Sequence, residues 1–382
     1  MRKFYLDNAA TTPLDSRVVE AMIPYFDEKF GNPSSVHSYG REVKVMLEEA
    51  RETVADFIGA SPSEIYFTSG GTEANNYAIK GIAFTNLGIK KHIISSPIEH
   101  SSILDTLEYL KSRFGFVVTF LSVNKFGEIN LEELKNSIKE DTFLICVMHS
   151  NNELGIINDI KSISEIASSK EIYLHTDSVQ SIGKTEFNVK EFNCNTASFS
   201  GHKIYAPMGI GGLYIKKGTV LDKFMHGGKQ ERDRRGGTEN IPGIAGLKKT
   251  IEILKKEMLS DVLHIGGLKN LFQEKLKNNF GDKIFINTKK ENSLPNIVNI
   301  SFNKNKIKID SDTLIVKLDM MGIAVSSGSA CTSGAIQPSH VIKAIGYDDE
   351  TAKSSLRISF GRFNKIDEVE YFIECVKELV VS

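Results

Sequence analysis

Short apolar, β-branched runs alternate with amphipathic stretches from about residue 64 to residue 217. Seven of these runs have the length and composition of strands, and segments with helical periodicity lie between most of them. The runs are Glu64–Ser69, His92–Ser96, Val117–Val123, Phe143–Met148, Ile172–His175, Thr196–Ser200 and Ile210–Ile215. Alternation of this kind predicts an α/β domain in which helices cover both faces of a largely parallel sheet.

The pattern changes in the last third of the chain, where a second, smaller α/β unit is predicted. Its segments are a charged helical stretch near 247–280, strand-like runs at Ile284–Asn287 and Asn296–Phe302, a helix at Asp312–Met321, a strand at Ile323–Ser326 and a closing amphipathic helix from about Asp367. Glycines and a proline at 236–243 predict a long loop before the junction. We expect a large domain of residues 15–255 and a small domain of residues 1–14 and 256–382.

Composition and charge narrow the class of partner. The 382 residues are 41% hydrophobic and 25% charged, as in globular proteins, and 47 basic against 48 acidic residues give a net charge of −1. This balance favours small molecules or proteins, and not nucleic acid, as partners. The four cysteines lie far apart without metal-ligand spacing, and no apolar run has transmembrane length. We expect a cytoplasmic protein with reduced thiols, no bound metal and no membrane contact.

Polar residues follow five of the predicted strands. They are, in chain order, Ser69-Gly70-Gly71-Thr72, Glu99-His100, Asn151-Asn152-Glu153, Asp177 with Gln180, and Ser200-Gly201-His202-Lys203. Ligands of open α/β sheets bind beyond the carboxyl ends of the strands. We therefore expect these residues to form one site.

The Gly-Gly-Thr turn opens the helical run Glu73–Phe84 and is suited to a phosphate. A helix N-terminus offers free backbone N–H groups and a positive dipole end, and the threonine adds a hydroxyl. The turn lacks the lysine of a P-loop. Gly183-Lys184-Thr185 and Gly209-Ile210-Gly211 resemble parts of nucleotide-binding motifs but do not complete them, so the sequence does not favour a nucleotide.

A phosphate-binding turn, an aspartate and a lysine at neighbouring strand ends indicate pyridoxal phosphate. This cofactor needs a Schiff-base lysine and an acid that faces its pyridinium nitrogen, and Lys203 and Asp177 are the candidates. The carboxylate keeps the ring nitrogen protonated, so that the ring can accept the electron pair left when a bond at the substrate's Cα breaks. His100 is placed to stack on the ring.

One cysteine differs from the other three in its surroundings. Cys331 lies in "SSGSACTSG" (326–334), a small, hydroxylated, Gly-punctuated stretch that is typical of an accessible loop. Cys146 lies in an apolar strand and Cys375 on the closing helix, so both are expected in the core. Cys194 follows Glu-Phe-Asn in a predicted loop and is interpreted as an incidental thiol.

These residues resemble the class V aminotransferase group of fold-type I pyridoxal-phosphate enzymes, and within it the cysteine desulfurases. The matching motifs run nearly end to end: "YLDNAATTP" (5–13), "FGNPSSVHSYG" (30–40), "FTSGGTEANN" (67–76), "EH" (99–100), "HSNNELG" (149–155), "HTDSVQSIGK" (175–184), "SFSGHKIYAPMGIGGLYI" (198–215), "RRGGTEN" (234–240), "SSGSACTSG" (326–334) and "LRISFGRFN" (356–364). "RRGGTEN" and the early C-terminus look more like the nitrogen-fixation type than the housekeeping iron–sulfur-assembly type.

The resemblance implies fold type I, with a mostly parallel seven-stranded sheet in the large domain, and roles at matching positions. It implies Lys203 as the Schiff-base lysine, Asp177 opposite the ring nitrogen, Gln180 near the ring hydroxyl, His100 stacked and catalytic, Gly71, Thr72, Ser200 and His202 at the phosphate, and Asn152 and Arg357 at the substrate carboxylate. Guanidinium offers that carboxylate a two-pronged pairing. Thr238 looks like the residue that reaches a neighbouring subunit's phosphate, which implies a homodimer.

For Cys331 the resemblance implies the nucleophile of a desulfurase, on a mobile loop of the small domain. Its thiolate takes the sulfur of L-cysteine as a persulfide while L-alanine leaves, and the loop carries the sulfur to an acceptor such as an iron–sulfur scaffold protein. The sequence leaves open whether the sulfur serves iron–sulfur clusters, tRNA thiolation or another pathway.

Two other functions remain in the comparison. A related enzyme, such as a selenocysteine lyase or a small-substrate aminotransferase, is disfavoured by the Cys331 loop because transamination needs no thiol. A non-catalytic assembly partner is disfavoured because Lys203 and Asp177 are both present. Selenocysteine stays open as an additional substrate.

Overall fold

The structure, a computed structural model, describes residues 3–307, 309–327 and 337–381. Its strands are β1 Phe4–Tyr5, β2 Ile65–Thr68, β3 His92–Ser95, β4 Val117–Phe120, β5 Thr142–Cys146, β6 Tyr173–Asp177, β7 Thr196–Ser200, β8 Gly211–Ile215, β9 Ile284–Ile286, β10 Ile297–Phe302, β11 Ile323–Ala324 and β12 Leu356–Ser359. The seven strands predicted between residues 64 and 217 are therefore confirmed, with ends that shift by at most three residues.

The described residues also form helices on either side of the sheets. They are α1 Ser16–Met22, α2 Ser38–Ile58, α3 Gly71–Thr85, α4 Ser101–Phe114, α5 Leu131–Ser137, α6 Ile160–Ser168, α7 Val189–Phe192, α8 Gln230–Asp233, α9 Ile241–Phe280, α10 Leu314–Met320, α11 His340–Ala344, α12 Asp349–Lys353 and α13 Ile366–Val381. Among the described residues, no helix is long and apolar enough to cross a membrane.

Strands β2 to β8 form one seven-stranded sheet in the order β2-β8-β7-β6-β5-β3-β4. Only β8 runs against its neighbours, β2 and β7, and the other neighbouring pairs are parallel. The carboxyl ends of β2, β3, β5, β6 and β7 consequently lie along the same edge. The α/β fold with a mostly parallel seven-stranded sheet is confirmed.

Two apolar clusters cover the two faces of this sheet because successive side chains of a strand point to opposite faces. Ile94 and Ile145 pack with α2, α6 and the first part of α9, whereas Ile93 and Leu144 pack with α3 and α4. The edge strand β4 is shorter than predicted. It ends where its only neighbour in the sheet, β3, ends, and the chain then turns through a local bridge between Val123 and Ile129.

A third apolar cluster lies away from the large sheet. It combines the second half of α9 with α10, α13 and the antiparallel sheet β12-β10-β9. Leu6 joins this cluster from the N-terminal segment, whose strand β1 pairs with β11. The division into domains at residues 14/15 and 255/256 stays a prediction.

Helix α9 begins earlier than the sequence pattern indicates, so part of the predicted 236–243 loop is helical. The side chain of Asn240 caps the helix by accepting a hydrogen bond from the backbone N–H of Gly243. Pro242 follows in the first turn, where its missing N–H costs nothing because that position has no partner within the helix. A charged-helix pattern starting at 247 could not reveal this cap.

Three cysteines are described, and all three are buried. Cys146 and Cys375 lie in apolar clusters as predicted. Cys194 is also fully buried against the α2 side of the sheet, so it is a core residue and not an incidental surface thiol.

Candidate active site

Lys203 lies on the 3-10 turn Gly201–Lys203 directly after β7. Its ammonium donates to the carbonyl oxygens of Ala9 at 2.8 Å and Ala10 at 2.6 Å. Burial lowers the pKa of Lys203 to about 8, and the positive charge of Arg357 acts in the same direction. A sizeable fraction of the amine is therefore neutral, the form that attacks a carbonyl.

Asp177 ends β6 and is buried. One of its oxygens, Oδ1, accepts the backbone N–H of Val179 at 2.9 Å, and the other, Oδ2, accepts the side-chain amide of Asn75 at 2.8 Å. Two donors hold the carboxylate in one orientation, as expected of an acid that must face a fixed ring atom.

His100 caps the N-terminus of α4 through Nδ1, which accepts the backbone N–H of Ser102 at 3.1 Å and contacts the Ser102 hydroxyl at 2.8 Å. His100 is exposed. The surrounding protein nevertheless lowers its pKa by desolvation, while the charges of Asp177 and Lys203 act on it in opposite directions. The charges of Asp177 and Lys203 thus both influence the protonation of His100.

The N-terminus of α3 meets the end of β7. Gly70 precedes the helix with φ +153°, a conformation that favours glycine. A side-chain carbon at Gly71 would lie 2.6 Å from Val179 Cγ2, so only glycine fits this turn without displacement. Gly71 and the buried Ser200 are close neighbours, while Thr72 is exposed at the start of the helix.

Two further predicted residues contact the N-terminal segment. Gln180 is buried and donates its amide to the carbonyl oxygen of Ala9 at 2.9 Å, the same oxygen that Lys203 contacts. Nδ1 of His202 lies 3.3 Å from the hydroxyl oxygen of Thr11, and burial lowers the pKa of this histidine to about 4. Residues 9–11 therefore line the site beside the lysine.

Arg357 lies on β12 and is buried. Its Nη2 pairs with Asp7 at 2.9 Å, and its Nη1 donates to the carbonyl oxygen of Asn152 at 3.0 Å. The Nε of Arg357 is buried without a partner among the described residues. The two predicted carboxylate-binding residues, Asn152 and Arg357, are thus in contact.

Two buried carboxyl groups stand behind the site. Burial raises the pKa of Glu99 to about 8, and burial also raises the pKa of Glu153. Glu99 accepts hydrogen bonds from the Ser96 hydroxyl at 2.6 Å and the backbone N–H of Met148 at 3.0 Å. Near neutral pH Glu99 is largely protonated, so it adds little negative charge beside His100.

Cys331 lies outside the described residues, but both flanks of its segment are described. Ser326 pairs with the backbone of Arg357 on the N-terminal side. On the C-terminal side, the Ser339 hydroxyl donates to Glu153 at 2.6 Å, and Nε2 of His340 lies 3.1 Å from the carbonyl oxygen of Glu99. Described residues on both sides of this segment thus contact residues of the site.

Thr238 is exposed and lies in the segment between α8 and α9. Its neighbour Arg235 pairs with Glu73 in the first turn of α3 at 2.8 Å. The predicted contact of Thr238 with a second subunit stays a prediction.

Two functional candidates were missed by reasoning from the sequence. Asp7 and Asn75 both stand in quoted motifs, "YLDNAATTP" and "FTSGGTEANN", yet neither follows a strand of the large sheet directly. Asn75 lies one turn into α3, where an amide usually faces solvent. The signal available in the sequence was helical spacing, which places Asn75 on the same face of α3 as Ala78, Ile79 and Ile82.

Comparison with known proteins identifies the family. The class-V aminotransferase family model matches residues 4–372. The cysteine desulfurase IscS of Methanosarcina thermophila is 46% identical over 376 residues, which cover 98% of this chain and 91% of that protein. A solved NifS-like protein has a TM-score of 0.92 at 39% identity and 99% coverage of both chains. The structure of SspA in complex with cysteine has a TM-score of 0.82 at 36% identity, covering 94% of this chain and 99% of that one.

The fold and the strand-end site define an α/β enzyme, and the chain belongs to the class-V aminotransferase family. Within that family, the relatives from Dictyoglomus turgidum and Methanosarcina thermophila, 42% and 46% identical, are named as cysteine desulfurases. The recognition made from the sequence motifs is confirmed.

Proposed function

We propose that this protein is a cysteine desulfurase that uses pyridoxal phosphate and carries sulfur on Cys331. One observation carries the proposal: Asp177 ends β6, Lys203 follows the neighbouring parallel strand β7 and His100 follows β3, so the three residues lie at the same edge of the sheet. The relatives named as cysteine desulfurases and the related structure in complex with cysteine support L-cysteine as the substrate.

The donor set fits pyridoxal phosphate. The N-terminus of α3 offers the N–H groups of Gly71 and Thr72, and Ser200 adds a hydroxyl beside the same turn. These groups, with His202, would hold the phosphate, and Thr238 of a neighbouring subunit would complete the cradle in a homodimer. Gln180 would stand at the ring hydroxyl. Val179 packs against Gly71, which keeps the turn close to Asp177.

Bound pyridoxal phosphate supplies an electron sink that stabilises negative charge at the substrate's Cα. The protein's part follows from its own groups. Asp177 holds a proton at the ring nitrogen, and Lys203 binds the cofactor and then accepts the proton from Cα. His100 holds the ring plane, while Arg357 and Asn152 orient the substrate carboxylate.

The sulfur transfer is assigned to Cys331, which lies outside the described residues. The positions of Ser326 and His340, both at the site, support this assignment because the chain between them must start and end there. The Cys331 thiolate forms a bond to the sulfur of L-cysteine, the bond from that sulfur to Cβ breaks, and the carbon skeleton takes a proton and leaves as L-alanine. The sulfur remains on Cys331 as a persulfide for an acceptor such as an iron–sulfur scaffold.

This chemistry also bears on the location of the protein and on its domains. A thiol that must stay reduced between turnovers fits the cytoplasm, where thiols are kept reduced. The proposed small domain, residues 1–14 and 256–382, carries both Arg357 and Cys331, whereas residues 15–255 carry Lys203 and Asp177. The site then lies between the two units.

The proposal is tested by Cys331→Ala. The variant should retain the fold and the cofactor but release sulfide and alanine from L-cysteine at a rate near background, because the substrate sulfur has lost its acceptor. Brief treatment of the unsubstituted enzyme with L-cysteine, followed by alkylation and peptide mapping, should place one extra sulfur on the Cys331 peptide.

The three buried thiols are internal controls, since Cys146, Cys194 and Cys375 should carry no extra sulfur. If Cys331→Ala releases alanine at the unsubstituted rate without a persulfide, the desulfurase proposal fails. A lyase or aminotransferase then takes its place.

A further inference from the structure

A chain of hydrogen-bonded polar side chains connects Asp177 to His100 next to the site, and Asn75 lies at its centre. The Nδ2 of Asn75 lies 2.8 Å from Asp177 Oδ2 and 2.9 Å from Ser102 Oγ, so both amide hydrogens have an acceptor. Asn75 is 1% exposed. A single side chain thus contacts the acid proposed for the ring nitrogen and the residue that holds His100.

The orientation of the Asn75 amide follows from its partners. A carboxylate can only accept, so the atom of Asn75 that faces Asp177 must be the nitrogen, and its Oδ1 must face His175 Nε2 at 3.0 Å. His175 consequently carries its proton on Nε2. Its Nδ1, 2.9 Å from the hydroxyl of Thr196, accepts from that hydroxyl. Burial lowers the pKa of His175 to about 3, which agrees with a neutral ring.

The same logic continues through Ser102 to His100. Because the Ser102 hydroxyl oxygen accepts from Asn75, its hydrogen is free to point to His100 Nδ1 at 2.8 Å. The backbone N–H of Ser102 also donates to that atom at 3.1 Å. Two donors at Nδ1 leave Nε2 as the atom that carries the proton of the neutral ring.

Both desolvation and the surrounding charges affect the pKa of His100. Desolvation lowers its pKa and is the largest effect, Lys203 and His340 act in the same direction, and Asp177 and Asp105 oppose them. The hydrogen bonds to Nδ1 require a neutral His100 ring, and desolvation favours the same neutral form.

We propose that Asn75 is a positioning residue that orients the Asp177 carboxylate and, through Ser102, keeps the proton of His100 on Nε2. The inference rests on the proposed function for its meaning in catalysis. One amide would then orient both the carboxylate that accepts from the protonated ring nitrogen and the ring atom that His100 presents to the site, so the two contacts to the cofactor are prepared together.

The test measures the tautomer of His100 directly by NMR of protein labelled with ¹⁵N-histidine, with and without bound pyridoxal phosphate. In the unsubstituted protein the His100 signal should show a protonated Nε2 and an unprotonated Nδ1. In Asn75→Leu the Ser102 hydroxyl loses the donor that fixed its orientation and can reverse to accept from Nδ1–H, while the backbone N–H of Ser102 still favours an unprotonated Nδ1. The loss of one neutral hydrogen bond should then shift the tautomer ratio about fivefold toward Nδ1–H.

Ser102→Ala keeps the Asn75–Asp177 contact and removes only the donor to His100, so it tests the chain even if Asn75→Leu fails to fold. A donor to Nδ1 stabilises the neutral ring, so its loss should raise the His100 pKa in an NMR titration. Bound pyridoxal phosphate labelled with ¹⁵N should keep a protonated ring nitrogen in Ser102→Ala and lose part of it in Asn75→Leu.

Thr106→Val is the matched control. Thr106 is buried one turn after Ser102, and its hydroxyl bonds Asn76 Oδ1 at 3.0 Å and the Ser102 carbonyl at 2.8 Å, outside the chain. Its substitution should leave the His100 tautomer unchanged. The inference is overturned if His100 carries its proton on Nδ1, or if a folded Ser102→Ala has the unsubstituted tautomer ratio and pKa. Neither readout depends on turnover of L-cysteine, so failure of the proposed function is seen separately.

Discussion

At the scale of single residues, the site places the positive charges of Lys203 and Arg357 close enough to affect each other. Arg357 is the second cause, after burial, of the low pKa of Lys203, and the carboxylates of Asp7 and Asp177 oppose it. Asp7 also pairs with Arg357 directly. The protonation of the lysine is therefore set by residues from the N-terminal segment and from β12.

Arg357→Gln should raise the pKa of Lys203 above its value of about 8, because a like charge no longer disfavours the ammonium. A rise of about one unit is expected for removal of a charge a few ångströms away. The pKa can be measured in the cofactor-free protein from the pH dependence of Lys203 acetylation, followed by peptide mapping.

Asp7→Asn supplies the opposite control. Removal of this negative charge should lower the pKa of Lys203, so acetylation should extend to lower pH. Shifts of the same sign in both variants would show that the electrostatic account is wrong.

At the scale of elements, the 40-residue helix α9 packs on the large sheet with its first half and on the small sheet with its second half. Gly267 lies in its interior. Among the described residues, no atom outside the local backbone lies within 4 Å of the position that a Cβ at Gly267 would take.

Gly267→Ala should therefore stabilise the protein. Glycine in a helix interior costs about 0.8–1 kcal/mol relative to alanine, and the added methyl group meets no obstacle. The gain should appear as a higher urea midpoint in unfolding followed by circular dichroism.

Gly246→Ala is the matched control on the same helix. A Cβ at Gly246 would lie 2.8 Å from Met22 Sδ and 2.9 Å from Pro207 Cδ, so this change should destabilise despite the same gain in helix propensity. Equal effects of the two substitutions would contradict the packing argument.

At the scale of the whole molecule, Arg362 links segments that are far apart in the chain. The buried guanidinium bonds Asp15 at 3.0 Å and Asp261 at 2.7 Å, and it lies 4.2 Å from the centre of the Tyr205 ring. Asp15 caps α1 beside the large sheet, Asp261 lies on α9, and Arg362 itself follows β12. The ion-pair cluster therefore joins the regions of the two proposed domains.

Arg362→Met should destabilise the protein by about 3–5 kcal/mol, because it leaves Asp15 and Asp261 without their buried cation. The measurement is the free energy of unfolding in urea. Arg17→Met is the control, since Arg17 pairs with the same Asp15 but has 44% of its side chain exposed. An exposed pair contributes about 0–1 kcal/mol, so this variant should be close to the unsubstituted protein. If both variants lose a similar free energy of unfolding, Arg362 does not stabilise the protein more than Arg17 does.

The layered α/β fold and most of the candidate site could be predicted from the sequence. Alternation with period two separates Ile93 from Ile94, and Leu144 from Ile145, onto opposite faces of the sheet. The parallel strands then carry Asp177 and Lys203 to one edge, because each follows a strand that runs in the same direction. These are local patterns, which can be recognised in a sequence.

The side chains that support the site could be identified only in the folded structure. Asp7 meets Arg357 across 350 positions of sequence, and this contact depends on the two-residue strand β1 pairing with β11. Asn75 meets Asp177 across 102 positions, through the packing of α3 on the sheet. A strand of two residues has no periodicity to detect, and an amide on a helix gives no sign of its partner. Such contacts form when segments that are distant in the sequence pack together. No local pattern in the sequence predicts them.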